Sequence, residues 1–488
     1  MADDTLTDPV VAIQIGAVSF VDEGVDTVLD LLAERGGVNA LFLATPTWTR
    51  GTGGRQVPGH PLPDHGVGEY DLDWRGGNYA TPHPAHYGNS VLGATGRAPE
   101  HPGLDLFEMV LPAAQARGMK SYAWMEESGS ARELRTYPNF PKLLEVDAWS
   151  RPGMRPCFNN PDYRNWHLGF VEDYAQNYDL DGIAWCSERP GPLNLLMQGP
   201  VQVGDIGCFC EHCLRIGRER GIDVRRAQQG YRELVEWNSK VGAGERPADG
   251  AFVTFWRTLL HYPEVLAWQN LWTESQRQIY RDIYGVAKAC APDIEVGWHV
   301  YHNISFSPFY RADQDYEEMA RFSDFIKVVI YNNCAGPRYY TWVQNICRAL
   351  FADADPDDVY PLMLKLLQID EGAYEKLPQT GFSADYVRRE TARAVAGVAG
   401  RSAIYPGIDI DIPVGIRRHP NETNRHVGKA NWDLTEGELT QCSPDGVRDA
   451  VLGAFAGGAQ GVVLSRKYSE MRLDNLAGAG EAMKRLAG

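Results

Sequence analysis

A (β/α)8 TIM barrel is the fold class this sequence predicts, and three observations predict it. Eight strand-length apolar runs recur along the chain, most of them followed by a stretch with helical spacing. The runs are continuous and rich in β-branched residues, as in strands buried on both faces of a parallel sheet. The structural rival, a doubly wound open sheet, would carry a Gly-rich phosphate turn early on. The turn after Ile15 (GAVSFVDEG) has no G-x-G-x-x-G.

The first run is Val10–Ala17, followed by helical spacing over Gly24–Glu34. The second is Val38–Ala44; a long loop and a helix near Leu104–Ala116 lead to the third, Met119–Met125, which ends at Glu126 and Glu127. A helix over Tyr163–Tyr178 precedes the fourth, Leu180–Trp185. The long helix Glu264–Ala289 precedes the fifth, Ile294–Val300, and Phe325–Tyr331 is the sixth. Helices near Tyr339–Phe351 and Ala384–Val398 follow. Ser402–Ile410 and Gly461–Ser465 are the seventh and eighth, and a last helix ends near Leu486. The loops Thr45–Gly103 and Arg189–Ala251 are far longer than ordinary connections and are expected to build the mouth of a site. The organisation expected is a single barrel domain over 1–488 with an inserted loop and helical segment at about 189–260.

Composition narrows the function. With 47 Lys+Arg against 64 Asp+Glu, the 488 residues carry a formal charge of −17, which argues against nucleic acid or an anionic membrane as partner. No run approaches the roughly 18 apolar residues of a membrane span. Met1–Asp8 is acidic and has no basic region ahead of an apolar one, so the chain reads as cytoplasmic. Thirteen Trp and 23 Tyr supply flat faces that suit sugar rings, although such rings also fill large cores. No nucleotide fingerprint is present, so no organic cofactor is expected; a homo-oligomer is compatible with the composition.

Cys208-Phe-Cys210-Glu-His-Cys213 brings three thiols within six residues, a spacing that wraps sulfurs around one soft tetrahedral ion. Cys157, ahead of the helix preceding the fourth strand, is the best fourth ligand; His212 and Cys186 are alternatives. Four thiolates would close the site around zinc, so its task would be to staple a loop. Cys290, Cys334, Cys347 and Cys442 lack such spacing and read as small core residues.

The stretch Cys157-Phe-Asn-Asn-Pro-Asp-Tyr-Arg164, then Trp185-Cys-Ser-Glu-Arg189, then Cys208–Cys213, resembles family 42 of the glycoside hydrolases. The likeness covers about sixty residues. In those β-galactosidases such a segment opens the helix before strand four, that strand ends in Asn-Glu with the general acid, and a C-x-C-x-x-C loop completes a four-Cys zinc site. The resemblance therefore implies that Glu188 is the acid and that Cys157, Cys208, Cys210 and Cys213 hold zinc. Ser187 stands where the family carries Asn.

Cleaving a glycosidic bond needs a proton donor and a second carboxylate, about 5–5.5 Å apart for retention or about 6.5–9.5 Å for inversion. Glu188 directly follows the fourth strand, where a barrel exposes functional groups. In Ile408-Asp409-Ile410-Asp411-Ile412 both Asp side chains share one face at the end of the seventh strand, so Asp409, with Asp411 close behind, is the expected partner. Glu126 is a third carboxylate at a strand end. His299 and His302, Tyr331 and Asn332, and Arg466 follow the fifth, sixth and eighth strands and supply the hydrogen-bonding inventory of sugar hydroxyls. Trp124 and Trp185 sit where they would stack on a ring. Asp64, His65 and the pair His83 and His86 in the long second loop would cap the sugar or bind a second metal.

The sequence thus predicts a glycoside hydrolase acting on a small carbohydrate. Two other classes stay open: a metal-dependent lyase or isomerase of modified sugars, with His299, His302, Glu126 and Asp409 around the ion, and a non-catalytic sugar-binding barrel.

Overall fold

Each apolar run holds strand in the computed structural model, which describes residues 9–48, 50–54, 74–127, 137–201, 204, 206–410, 442–465, 468 and 471–488. The strands are β1 (Val10–Ile15), β2 (Ala40–Ala44), β3 (Lys120–Glu126), β4 (Leu144–Val146), β5 (Pro152–Pro156), β6 (Gly182–Cys186), β7 (Glu295–Val300), β8 (Phe325–Val328), β9 (Ala403–Ile404), β10 (Gly407–Asp409) and β11 (Gly461–Ser465). Strands β4 and β5 form a separate antiparallel hairpin that the apolar pattern does not announce. The other nine form one curled, all-parallel sheet in the order β10-β11-β1-β2-β3-β6-β7-β8-β9, a TIM-like α/β architecture.

Most strand boundaries shift by a residue or two from expectation, and three differ for a clear local reason. Strand β1 stops at Ile15, because Gly16 starts the helix Ala17–Glu23. Strand β8 stops at Val328: Tyr331 takes a left-handed backbone (φ 41°) and the helix Asn332–Ile346 begins directly after it. The seventh run is split at Tyr405-Pro406, since proline has no N–H to give to a ladder. Its first piece pairs with β8 and its second with β11. The two edges of the sheet are therefore consecutive pieces of one segment, and Val329 bridges Gly407 between them.

Alternation along each strand divides the side chains into two layers. Ile13, Leu41, Met125, Ile183, Trp185, Trp298 and Ile326 point outward into a core shared with the surrounding helices. Ala12, Phe42, Tyr122, Trp124, Ala184, Phe325, Tyr405 and Val463 point inward and fill the curl of the sheet. Large rings meet glycines there. A Cβ on Gly182 would strike Tyr122, and one on Gly297 would strike Phe325. Phe325 stacks on Tyr405 with centroids 5.2 Å apart and lies 5.7 Å from Phe42.

The helices are started by the residues that local chemistry favours. Asn160 accepts from the N–H groups of Asp162 and Tyr163 at the head of Pro161–Asn177, and Asp105 does the same for Leu106–Ala116. Between β6 and β7 the chain makes an excursion through the helices Pro192–Gln198, Glu211–Glu219, Val224–Gly242 and Ala251–His261 before the 27-residue helix Glu264–Cys290. Among the described residues no helix is long and apolar enough to cross a membrane. Cys334 and Cys442 are buried as expected of core thiols, whereas Cys290 and Cys347 are only half-buried.

Overpacking the inner layer tests this arrangement. Gly297→Val should cost about 1–3 kcal/mol in thermal or urea unfolding, because Phe325 occupies the space the new side chain needs. Combined with Phe325→Ala, the two changes should cost less than the sum of the single variants. An additive pair would mean the ring is not the obstacle.

Candidate active site

The C-terminal ends of the parallel strands converge on one mouth, and β6 delivers four residues to it with alternating directions. Cys186 points into the sheet interior and Glu188 into the mouth. Ser187 and Arg189 point into the wall instead. Ser187 Oγ donates to Glu127 Oε2 at 2.6 Å and accepts from Gln276 Nε2 at 3.2 Å. Arg189 is buried and doubly ion-paired: it pairs with Glu127 at 2.5 Å and Glu145 at 2.8 Å, and its Nη1 donates to the Pro156 carbonyl at 2.9 Å. Its guanidinium carbon lies 4.1 Å from the centroid of the Phe158 ring. Tyr163 donates to Glu127 as well, at 3.0 Å. Glu127 is thus tied up in the wall.

Glu188 accepts a hydrogen bond from His299 Nε2 of β7 at 2.8 Å, with its own side chain 46 % exposed. Desolvation in the mouth raises the Glu188 carboxyl. The His299 hydrogen bond and the positive fields of His302 and Arg338 outweigh that effect and hold it at about 2. His299 is pushed down to about 4, first by burial and then by the Lys327 charge. Near neutral pH the pair is therefore a carboxylate facing a neutral imidazole. An ionised carboxylate only accepts, so the ring proton belongs on Nε2.

Lys327, on β8, is a residue that the strand-end inventory passes over. It is fully buried inside the sheet, donating to Gln14 Oε1 at 2.8 Å and Tyr331 Oη at 3.0 Å. Its ammonium sits 4.4 Å from the Trp124 ring centroid, and Trp124 meets His299 edge to face at 5.0 Å. A charged residue in the middle of the apolar run FIKVVIY was the available signal. Trp124 and Tyr331 accordingly line the interior beneath Glu188.

The remaining expected residues divide as follows. Glu126 is buried and accepts from Thr47 Oγ1 at 2.5 Å and Thr52 Oγ1 at 2.6 Å. Asp409 is buried and accepts from the backbone N–H groups of Asn333 (3.2 Å) and Cys334 (2.8 Å), capping the helix Asn332–Ile346. Burial raises its carboxyl; those two N–H groups and Arg338 pull the other way without cancelling the rise. His302 packs on Tyr301 and Phe306 and directs its field at Glu188. Two residues face elsewhere: Asn332 donates to the Phe382 carbonyl at 3.2 Å, and Trp185 lies in the outer layer against Tyr280 and His167. Asp411, Arg466, Asp64 and His65 lie outside the described residues. His83 and His86 face carboxylates of the helix Pro161–Asn177: His83 Nδ1 is 2.7 Å from Asp173 and His86 Nδ1 is 3.6 Å from Glu172.

Beyond the β4–β5 hairpin, Cys157, Cys208, Cys210 and Cys213 form a cluster whose sulfurs all lie within 4.8 Å of one another. Cys157 Sγ is 3.5 Å from both Cys213 Sγ and Cys210 Sγ, far beyond a disulfide bond. Four donors point at the sulfurs: Val146 N and Cys210 N at Cys208, Asn159 N at Cys157, and Asn159 Nδ2 at Cys213, at 3.3–3.4 Å. Hydrogen bonds from its three neighbouring thiols pull the Cys210 thiol well below its ordinary range. A cluster of this kind can hold a metal ion.

Comparison with known proteins places the fold. No family profile and no curated protein matches the chain. Among solved structures it is similar to a β-galactosidase from the haloarchaeon Halorubrum lacusprofundi (TM-score 0.50, 12 % identity, over 98 % of this chain and 58 % of that one). It is also similar to the PgaB (BpsB) glycoside hydrolase domain from Bordetella bronchiseptica (TM-score 0.47, 11 % identity, 98 % of both chains). A third neighbour is α-L-fucosidase isoenzyme 2 from Paenibacillus thiaminolyticus (TM-score 0.46, 12 % identity, 98 % of this chain). The chain spans about half the length of that fucosidase (49 %). All three are named as glycoside hydrolases, and the likeness to the first of them shows the fold.

The buried histidines make stability depend on pH. His167, with neither ring nitrogen hydrogen-bonded among the described residues, is held by burial to about 4, as is His299. In the unfolded chain a histidine takes its proton near 6.5, so between about 4 and about 6.5 the unfolded state binds more protons. Stability should therefore fall as pH drops through that window, read as the urea midpoint at pH 7, 6, 5 and 4.5. His167→Phe should flatten the slope, and an unchanged slope would assign it to other groups.

Proposed function

We propose that the chain is a glycoside hydrolase-like enzyme that acts on a small carbohydrate at the mouth of a closed (β/α)8 barrel, with Glu188 as its working carboxylate. One observation carries the reading: Glu188 stands just past the end of β6, open to the mouth, and its Oε1 is held by His299 Nε2 at 2.8 Å. A strand-end carboxylate oriented from a neighbouring strand is what attack at an anomeric carbon requires. The split seventh run, pairing with β8 on one side and β11 on the other, supports the closed eightfold reading.

The protonation pattern modifies the roles expected from sequence. With His299 donating to it, Glu188 is a carboxylate in the free site, which suits a nucleophile or a base that takes a proton from water. Acting as the acid would require a bound sugar to displace water and the histidine and so raise its proton affinity. Asp409 has the elevated carboxyl of the two, yet both of its oxygens serve the helix that follows β8. In this reading Asp409 positions that helix at the mouth, Trp124, Tyr331 and His302 bound the sugar's pocket, and Glu126 stiffens the β2–β3 side.

The four cysteines suit zinc. Tetrahedral zinc–thiolate bonds of about 2.3 Å place sulfurs about 3.8 Å apart, close to the 3.5 Å separations here. Cys157, Cys208, Cys210 and Cys213 would hold the ion, and with every coordination position taken by sulfur it would staple the hairpin to the loop after β6.

A second reading has its own observation: donor atoms of Cys186, Glu188 and His299 also lie within 4.8 Å of one another, enough for three ligands to an ion with an open position. That arrangement favours the metal-dependent lyase or isomerase. Metal content separates the two. The hydrolase reading expects about one zinc per chain, lost in Cys213→Ser; a second equivalent required for turnover would favour the other.

Glu188→Gln should reduce hydrolysis across a panel of nitrophenyl glycosides by roughly 10²-fold or more while leaving the unfolding midpoint near that of the parent. Undiminished turnover in that variant would remove Glu188 from the chemistry.

A further inference from the structure

Among the described residues, two arginines at the mouth differ from the ion-paired guanidiniums near it. Arg189 pairs with Glu127 and Glu145, Arg311 and Arg393 both pair with Glu390, and Arg277 pairs with Glu274 and Glu318. Arg338 and Arg155 make neither a hydrogen bond nor an ion pair among the described residues. Both are half-buried, and none of their nitrogens is sealed from solvent.

Their positions are tied to the site. Arg338 lies on the second turn of the helix Asn332–Ile346, with its guanidinium carbon 5.9 Å from the Tyr331 ring centroid. Its charge acts on Glu188, on Asp409 and on Tyr301. Arg155, on β5, directly precedes Pro156, whose carbonyl accepts from the Arg189 that follows Glu188, and its charge acts on the same Tyr301. The one carboxylate on which Arg155 has a resolved influence, Glu145, is taken by Arg189 at 2.8 Å.

A half-buried guanidinium with no acceptor among the described residues keeps its N–H donors turned to solvent and open to a ligand, although acceptors are plentiful in a chain with 64 acidic residues. Arginine presents a planar fork of N–H donors that fits two oxygens of a carboxylate or sulfate at once, a geometry that a single hydroxyl cannot use. The rest of the surface repels anions, at a formal charge of −17, so a local anion site has to be built from fixed cations. We propose that Arg338, assisted by Arg155, is a specificity-determining subsite for a sugar that carries an anionic group, a uronic acid carboxylate or a sulfate ester. The inference rests on the carbohydrate reading of the mouth, and it narrows that reading to acidic sugars.

Calorimetric titration of the full chain tests it without relying on turnover. The probes are glucuronate, galacturonate, galactose 6-sulfate, glucose and galactose, at low salt. The parent should bind at least one acidic sugar about tenfold or more tightly than its neutral counterpart. Arg338→Ala should weaken that binding roughly 10–100-fold and leave the neutral sugar unaffected, with Arg155→Ala showing a smaller loss. Arg338→Lys, which keeps the charge and loses the fork, should fall between and serves as the control for folding. Preference for uronates over the sulfate, or the reverse, identifies the anion. Equal affinity for acidic and neutral sugars, acidic-sugar affinity unchanged in Arg338→Ala, or no binding of any acidic sugar would each overturn the proposal. Arg338-dependent binding with no hydrolysis of any glycoside would leave the subsite standing and sink the hydrolase reading. Rapid hydrolysis of neutral glycosides without acid preference would do the opposite.

Discussion

The buried Arg189 guanidinium holds this structure's functional end together. It is a single side chain that reaches the end of β3 through Glu127, the β4–β5 hairpin through Glu145 and the Pro156 carbonyl, and the Phe158 ring next to the cysteine loop. Removing one member of such a buried network strands the others, at a cost of about 3–5 kcal/mol. Glu188 precedes Arg189 directly, so the backbone that aims the exposed carboxylate is set by the clamp behind it. Ser187 reinforces the same wall through Glu127 and Gln276. The residue standing where the resembling β-galactosidases have an asparagine is therefore part of the wall, turned away from the mouth.

Above that clamp, the strand alternation sorts chemistry by depth. Lys327 and Gln14 occupy the interior, Trp124 and Tyr331 cover the ammonium, and His299 connects this buried layer to Glu188 at the surface of the mouth. The register that sets Glu126, Cys186, His299 and Lys327 side by side across four strands is a direct product of parallel pairing. A one-residue slip in any of these strands would send its member of the row outward.

What the sequence made legible was the part governed by pattern. Continuous apolar runs announced the strands, the C-x-C-x-x-C spacing together with Cys157 announced the sulfur cluster, and the position of Glu188 after its strand announced a mouth residue. What it hid depends on contacts between distant segments. Nothing in LEV and PGMRP signals a hairpin, because two short strands with a proline at each end of the second have no period to read. Ser402–Ile410 reads as one strand until Pro406 is given its weight. Asp409 shares the expected face, but only the three-dimensional fold reveals that helix N–H groups occupy its oxygens. Trp185 sits next to a mouth residue in sequence and faces the opposite layer, as its parity dictates. Arg338 lies six residues past the start of a helix and Arg155 within an unannounced strand, so no strand-end rule reaches them.

The pairing of β1 with β11 has a consequence for how the protein is made. Val10 to Ile13 lie against Gly461 to Leu464, and Ser465 donates to Gln14 across 451 residues of sequence. During synthesis, one edge of the first strand therefore stays without its partner until almost all of these residues have left the ribosome. For that interval the nascent sheet presents an apolar, hydrogen-bonding edge of the kind that recruits other chains. Shielding that early edge while the ribosome works is then a requirement separate from the stability of the finished fold.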